Sequence, residues 1–324
     1  MQEEQPTQGD FEYTFSNRPK ERPKINSLGQ FGILIGFTGV GILIGSLAGI
    51  VVWKLMTGAS LLNIEKELLN PAYANAAKMM QLVITFFCFF LPAYFFTLII
   101  NRKPLHYLGF RMQMSSRQFF YLILIAFFGL AVSDALAELN QLIPVTKAMA
   151  VKFKAMEDDY NKEIMAMASM KSWGDYIFSL IVIALAPAIF EETLFRGALQ
   201  QLFIKWFRNP WVGIIVTSIL FSAVHWSYYG FLPRAVLGLV LGLIFYYGKN
   251  IWLNIFVHFL NNAIAVSALF FVSKNGNIPK EAIDGPAFPF WMGIIAAVLL
   301  IGVLVGFKRE CDRMNFAVID HPRE

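Results

Sequence analysis

The chain is 324 residues long, and 57% of its residues are hydrophobic while only 15% are charged. Soluble domains carry about 25% charged residues, so this composition excludes an ordinary soluble protein and indicates one embedded in a membrane. The formal net charge is +5. No basic, aromatic-rich patch concentrates that charge, so we expect no nucleic-acid partner. The expected partners are the lipid bilayer and a membrane-associated protein or peptide.

Eight segments reach or approach the length of about 20 apolar residues that a helix needs to cross a bilayer. They are residues 31–56, 79–101, 118–138, 174–206, 211–229, 231–248, 251–273 and 287–307. The predicted fold class is therefore all-α, a polytopic membrane protein with about eight transmembrane helices.

Residues 1–30 are polar and lack an apolar stretch before a small-residue cleavage site, so we expect a flexible cytoplasmic tail and no signal peptide. Residues 308–324 are expected to form a second cytoplasmic tail. Basic residues flank the first and last spans at Arg18, Lys20, Arg22, Lys24, Lys308, Arg309 and Arg313. By the positive-inside rule, they predict an integral plasma-membrane protein with both termini in the cytoplasm.

The predicted spans form two regions of different character. Residues 31–138 give three helices with almost no charge, whereas 174–273 give four helices that carry Glu, Arg, His and Asn at membrane depth. Residues 139–173 are an extracytoplasmic loop rich in methionine, and an amphipathic interfacial cover is favoured there over a substrate gate. Residues 274–307 hold a further loop and the last span. The chemistry is therefore expected in 174–273.

Three ionisable residues, Glu191, Glu192 and Arg196, follow an apolar run in the fourth span. Each would cost about 2.5–3.5 kcal/mol at the centre of a membrane helix, so each needs a partner or a wet cavity. Glu192 and Arg196 are i and i+4 and can pair on one helix face. Glu191 points about 100° away and is left without that partner. The alternative is that all three snorkel to the surface from a cytoplasmic helix end.

Polar residues on later spans complete a candidate site. Glu191 lies 17 residues before the turn at Arg208, and His225 lies 17 residues after it. At about 1.5 Å per residue along antiparallel helices, the two are level. His258 and Asn262 are i and i+4 and share a face of another span. Taken singly, such residues are more often packed core groups, but together on neighbouring helices they predict one shared site.

This set of groups suits the addition of water to a carbonyl. A carboxylate in a low-dielectric pocket can take a proton from water. Imidazoles and an amide placed opposite can donate hydrogen bonds to the oxyanion that forms. Glu191, His225 and His258 also match the ligand types of a catalytic zinc (Zn²⁺) site, although HExxH is absent and the residues lie on separate helices. No cofactor other than zinc is indicated.

Three segments carry a family resemblance: EETLFR (191–196), FSAVH (221–225) and HFLNN (258–262). They resemble the EExxxR, FxxxH and HxxxN motifs of the CPBP family, the Abi or type II CAAX-prenyl-endopeptidase-like intramembrane proteases. The three motifs occur in order on separate helices, and the resemblance covers about residues 174–273.

The resemblance implies a helical endopeptidase whose site lies within the membrane toward the cytoplasmic side. The catalytic positions that it implies are Glu191, which activates the water, with His225, His258 and Asn262. The supporting positions are Glu192, Arg196 and Phe221, which packs one turn from His225. In eukaryotic relatives the substrate is a prenylated C-terminal tetrapeptide signal. The family name includes metalloprotease, yet related enzymes have also been argued to use glutamate without a metal.

Two other functions stay open at this point. A non-catalytic immunity or scaffold protein could bind a peptide in the same polar cavity. A proton-coupled transporter would also place Glu and His inside the membrane, but the sequence lacks the inverted repeats and broken helices typical of transporters.

Overall fold

The computed structural model describes residues 25–167, 169–274 and 288–320, and within these ranges it is helical without strands. Seven of the described helices are long and apolar enough to cross a membrane. The helices are α1 Ser27–Thr57, α2 Pro71–Ile100, α3 Ser116–Gln141, α4 Lys147–Met167, α5 Trp173–Phe207, α6 Pro210–Ala223, α7 Phe231–Gly248, α8 Ile251–Lys274 and α9 Phe290–Asp320. The chain is an all-α integral membrane protein, as predicted.

The predicted span 211–229 is shorter in the structure, because α6 ends at Ala223. Two backbone hydrogen bonds turn the chain there, from the His225 amide to the Ser222 carbonyl at 3.2 Å and from the Trp226 amide to the Ala223 carbonyl at 3.2 Å. Trp226 adopts a left-handed conformation with φ of 52°. The polar residues that follow therefore form a connection to α7 and do not extend the helix.

The ends of the chain also differ from the prediction. Residues 1–24 of the predicted tail, including the basic residues before the first span, lie outside the described residues. Helix α1 begins at Ser27, where the Asn26 side chain accepts from the Gly29 amide at 2.8 Å. Helix α9 continues to Asp320, so most of the predicted tail 308–324 is helical. Most of the loop before α9, residues 275–287, is outside the described ranges.

Helices α1 and α2 meet through glycines. Gly41, Gly45 and Gly49 are buried and recur every four residues on one face of α1. A Cβ on Gly45 would lie 2.8 Å from Phe87, and a Cβ on Gly49 would lie 2.8 Å from Ile84. Small residues at this spacing allow close helix contacts in membranes. Helices α1 and α2 therefore form a closely packed pair.

Two apolar clusters surround the middle of the bundle. One joins α3, α7, α8 and α9 through Leu122, Leu241, Val257 and Phe307. The other joins α1, α2, α5 and α6 through Leu34, Phe96, Phe195 and Phe221. Helix α5 belongs to the second cluster and also contacts α7 and α8 of the first. Its Glu192, Arg196 and Gln200 side chains are buried in the bundle.

Helix α5 is irregular where its polar residues lie. Leu180–Leu185 and Thr193–Gln200 form wide π-helical turns on either side of the regular segment Ala186–Glu192. Pro187 has no N–H to bond the preceding turn, which is a physical reason for the first irregularity. Such π turns are rare and often occur at functional sites. Glu191 and Glu192 thus occupy the end of the regular turn between two widened ones.

A tight turn joins α5 to α6. Arg208 ends α5 in the left-handed conformation with φ of 52°. The Asn209 side chain accepts from the Trp211 amide at 2.9 Å, and Pro210 occupies the first position of α6, where its missing N–H costs nothing. The two helices consequently run antiparallel, which places Glu191 and His225 at the same level.

Side chains of α5 bond the backbone of α7. Arg196 donates to the Gly238 carbonyl at 3.2 Å, and Gln200 donates to the Gly242 carbonyl at 3.0 Å. A Cβ on Gly242 would lie 2.6 Å from the Ile214 side chain of α6. The absence of a side chain at this position lets α5, α6 and α7 pack closely around the polar residues.

Most of the predicted loop 139–173 is the helix α4. It covers the connection between α6 and α7: Phe153 stacks on Tyr228 with ring centroids 4.3 Å apart, and Ser227 donates to Glu157 at 2.8 Å. A helix is therefore present in this loop, while its position at the membrane interface stays a prediction. It lies over the end of α6, next to His225.

Candidate active site

Glu192 and Arg196 form the ion pair that their spacing predicts. Arg196 Nη1 lies 2.7 Å from Glu192 Oε1, and both side chains are 0% exposed. The guanidinium of Arg196 also lies over the Phe221 ring, 4.4 Å from its centroid. Since both charges are fully enclosed, the pair is part of the bundle core and does not snorkel to a surface.

Glu192 also orients His258. Its Oε1 atom lies 2.8 Å from His258 Nδ1. A carboxylate only accepts, so Nδ1 carries the proton and donates. In a neutral ring Nε2 is then an acceptor, and it lies 3.9 Å from Glu191 Oε2. Glu192 therefore sets which nitrogen of His258 faces the site.

His225 is oriented by the backbone of its own helix end. Its Nδ1 lies 2.7 Å from the Phe221 carbonyl, which can only accept, so this nitrogen also donates. Its Nε2 faces Glu191 Oε2 at 4.0 Å, and the side chain is 27% exposed. The predicted level pairing of Glu191 and His225 is confirmed by this distance.

Glu191 is the central acidic group of the site. Its Oε2 atom is buried and has no hydrogen-bond partner among the described residues. It faces the Nε2 atoms of both His225 and His258. With neutral rings and an ionised carboxylate, all three facing atoms carry lone pairs and none can donate. Two acceptor atoms about 4 Å apart can share one water molecule that donates to each at ordinary hydrogen-bond distances of about 2.8 Å.

Phe221 and Asn262 complete the predicted set in different ways. Phe221 is 1% exposed and packs edge-on against His225 and His258, with ring centroids 5.1 and 5.9 Å apart. Asn262 lies one turn beyond His258 on α8 and is partly buried. Its amide makes no hydrogen bond to any residue in the described ranges, so it is available to a ligand.

The residues fit a zinc site in type but not in spacing. Imidazoles that donate from Nδ1 to a carbonyl or carboxylate are typical of metal ligands. A tetrahedral zinc with bonds of about 2.0–2.1 Å would bring neighbouring ligand atoms to about 3.4 Å, whereas Glu191 Oε2 lies 3.9 and 4.0 Å from the two imidazoles. Over the residues that the structure describes, no group of three His, Cys, Asp or Glu is placed to hold a metal ion.

Connectivity relates the side of the membrane nearest the site to the side on which the N terminus lies. His225 lies just beyond the end of α6 that is distant from the Arg208 turn, and α4 packs over it. Counting crossings from a cytoplasmic N terminus assigns this end to the outer side. The two sequence predictions, termini inside and a site toward the cytoplasm, therefore point to opposite faces.

Sequence reasoning missed one charged residue near the site. Arg234, in the first turn of α7, lies one turn before Gly238, whose carbonyl accepts from Arg196. The Nη2 of Arg234 lies 3.4 Å from the Tyr160 hydroxyl on α4. An arginine in an otherwise apolar predicted span was the available signal, because such residues are rare in membranes and tend to be functional.

The fold and the site define an integral membrane protein with a buried glutamate–histidine centre. Residues 173–264 match the family model described as "Type II CAAX prenyl endopeptidase Rce1-like". The match confirms the predicted resemblance to the CPBP family, and it includes Glu191, His225, His258 and Asn262.

Two curated proteins are similar over shorter segments. One, from Escherichia coli, is named "Uncharacterized 24.3 kDa protein" and is 41% identical over 75 residues, which cover 23% of this chain and 34% of that protein. The other, "UPF0177 protein YbdI" from Lactococcus lactis subsp. lactis (strain IL1403), is 31% identical over 72 residues, covering 21% of this chain and 35% of that protein. The chain thus spans about a third of the length of these relatives. No solved structure matches it.

Proposed function

We propose that the protein is an intramembrane endopeptidase that hydrolyses a peptide bond of a membrane-associated protein or peptide. The observation that supports this most is the buried Glu191 Oε2, which has no partner and faces two imidazole nitrogens across gaps of 3.9 and 4.0 Å. A water molecule held there can be deprotonated at the point where a substrate carbonyl would be attacked.

Glu191 acts as the general base. A water molecule donates one hydrogen to its carboxylate and the other to the Nε2 of a neutral His225 or His258, which leaves an oxygen lone pair free to attack. As the bond to the carbonyl carbon forms, Glu191 takes the proton. The carboxyl group then returns it to the leaving nitrogen while the C–N bond breaks. The products are a carboxylic acid and an amine, and Glu191 is regenerated.

The oxyanion needs donors other than the neutral rings. Because both Nδ1 atoms already donate elsewhere, the Nε2 atoms can donate only after a ring gains a second proton. The Asn262 amide can donate without any such change. In a low-dielectric site, one well-placed donor of this kind contributes about 2.7–4 kcal/mol to transition-state stabilisation.

The Glu192–Arg196 pair acts as a positioning device. It keeps the His258 ring turned with Nε2 toward Glu191, and it contributes no net charge to the centre. Because the His258 ring is already held in this orientation, it need not reorient during the reaction. Hydrogen bonds that orient a catalytic side chain assist catalysis in this way.

The proposal can be tested by comparing protein C termini in membranes from cells that contain the wild-type chain, Glu191→Gln or Glu163→Gln. Glu163 lies on α4 and is exposed, so its substitution is a matched control. We expect C-terminal fragments that occur with wild type and Glu163→Gln and are absent with Glu191→Gln. Identical fragments in all three samples would overturn the proposal and favour a non-catalytic peptide-binding protein.

A further inference from the structure

Arg234 has an unsatisfied guanidinium beside the candidate site. Its Nη1 atom is buried and has no hydrogen-bond partner among the described residues. Its Nη2 atom makes a long contact of 3.4 Å with the Tyr160 hydroxyl, and its Cζ lies 5.6 Å from the centroid of the Tyr160 ring. Arg196, by comparison, has both an ion pair and a backbone acceptor. Arg234 therefore retains donors for a ligand.

The charge of Arg234 is not neutralised by a neighbour. Among the described residues, no carboxylate lies within 4 Å of its nitrogens, and its Nη1 has no hydrogen-bond partner. Glu157, on the helix that covers this region, accepts from Ser227 instead. The first turn of α7, where Arg234 lies, adds the positive end of the helix dipole. The described contacts thus leave the positive charge of Arg234 without a carboxylate partner.

The backbone makes room for this guanidinium. A side chain at position 230 would overlap the guanidinium nitrogens of Arg234. Because Gly230 has no side chain, the guanidinium can occupy this position. Gly230 itself has φ of −90°, which an alanine can also adopt. An added methyl group at this position would therefore displace the guanidinium without removing its charge.

We propose that Arg234 binds a carboxylate of the peptide substrate close to the bond that is cleaved. A guanidinium presents a planar pair of N–H groups that matches a carboxylate, and an anion would compensate a charge that is costly inside a membrane. Arg234 lies one helical turn before Gly238, whose carbonyl accepts from Arg196 of the site, so we place the bound carboxylate within a few residues of the cleaved bond. This inference rests on the proposed function.

Two sources can supply such a carboxylate: the free C terminus of the substrate and an Asp or Glu side chain. Both can be tested with a mixture of proteome-derived peptides, prepared untreated, amidated at the C terminus only, or amidated at all carboxyl groups. The mixtures are passed over immobilised full-length Glu191→Gln protein in nanodiscs, which prevents turnover, and the retained peptides are quantified by mass spectrometry.

We expect full amidation to reduce retention by about tenfold or more, as the loss of a charge-assisted hydrogen bond predicts. Loss after C-terminal amidation alone identifies the terminus as the source, and loss only after full amidation identifies an acidic side chain. When Arg234→Gln is combined with Glu191→Gln, the untreated and amidated mixtures should be retained equally. When Gly230→Ala is combined with Glu191→Gln, the difference in retention should become smaller. Adding Tyr160→Phe, which removes only the long contact, should preserve it.

Equal retention of untreated and fully amidated peptides, including no retention of either, would overturn the inference. So would a difference that persists in the Arg234→Gln background. Cleavage by the wild-type chain is measured separately with the same peptides. Cleavage without carboxylate preference would contradict only the role of Arg234, whereas carboxylate-dependent retention without any cleavage would contradict only the endopeptidase proposal.

Discussion

Glu192 accepts a hydrogen bond from Nδ1 of His258 at 2.8 Å, across the contact between α5 and α8. The same carboxylate oxygen is paired with Arg196. One buried carboxylate thus supports the helix contact, balances a cation and fixes the imidazole orientation.

Substituting Glu192 by Gln should destabilise the protein strongly. The change leaves Arg196 as an uncompensated buried charge, and breaking a buried pair in this way costs about 3–5 kcal/mol. Thermal unfolding in detergent measures the loss. The double variant Glu192→Leu with Arg196→Met should recover much of the stability, yet it should remain poorly active because no acceptor at position 192 holds His258 Nδ1. Full activity in the double variant would contradict the positioning role.

A side chain at position 242 should destabilise the protein, because the close packing around Gly242 leaves no room for it. Gly242→Ala places a methyl group 2.6 Å from Ile214, and overpacking of this kind costs about 1–3 kcal/mol. Gly36→Ala, on α1, is the matched control because nothing lies within 4 Å of a Cβ at that position. The melting temperatures of the two variants should differ clearly. Equal melting temperatures would show that α6 and α7 are less closely packed than described.

Chelation should leave activity unchanged. The distances of 3.9 and 4.0 Å from Glu191 Oε2 to the two imidazoles are wider than zinc coordination requires. Purified protein is treated with a strong chelator, its residual metal is measured, and cleavage is followed. Loss of cleavage that zinc restores would contradict the mechanism proposed here and would mean that the three residues draw together around a metal ion.

The orientation should place α4 on the outer side. In intact cells a membrane-impermeant thiol reagent is expected to label Glu163→Cys but not Arg102→Cys, which lies between α2 and α3. The native Cys88 and Cys311 are buried and should react little. The reverse labelling pattern would show that the termini face outward and that the site opens toward the cytoplasm, as the family resemblance implies.

Local spacing was enough to predict part of the site. Glu192 and Arg196 are four residues apart, so any helix brings them together. The level pairing of Glu191 and His225 followed from equal distances to the Arg208 turn, because helix rise is constant. Both predictions depend on one helix or one hairpin, and both are confirmed by the measured distances.

Other features depend on how separate helices rotate against each other. Helix α8 is apolar around most of its circumference, so its sequence does not reveal that His258 turns toward Glu192. The widened turns of α5 could not be predicted from hydrophobic periodicity, since they preserve the apolar character of the segment. Arg234 was missed because its role depends on contacts between α7 and α4, which are distant in sequence.

The central claim is that Glu191 activates a water molecule for peptide hydrolysis. Its most direct test is to incubate the purified chain in nanodiscs with proteome-derived peptides in H₂¹⁸O and to measure ¹⁸O in newly formed C termini. Wild type should incorporate one ¹⁸O atom per cleavage. Glu191→Gln should remain folded, because Oε2 has no partner to lose, and its cleavage should fall by about 10²–10⁴-fold. Undiminished ¹⁸O incorporation by folded Glu191→Gln protein would contradict the account.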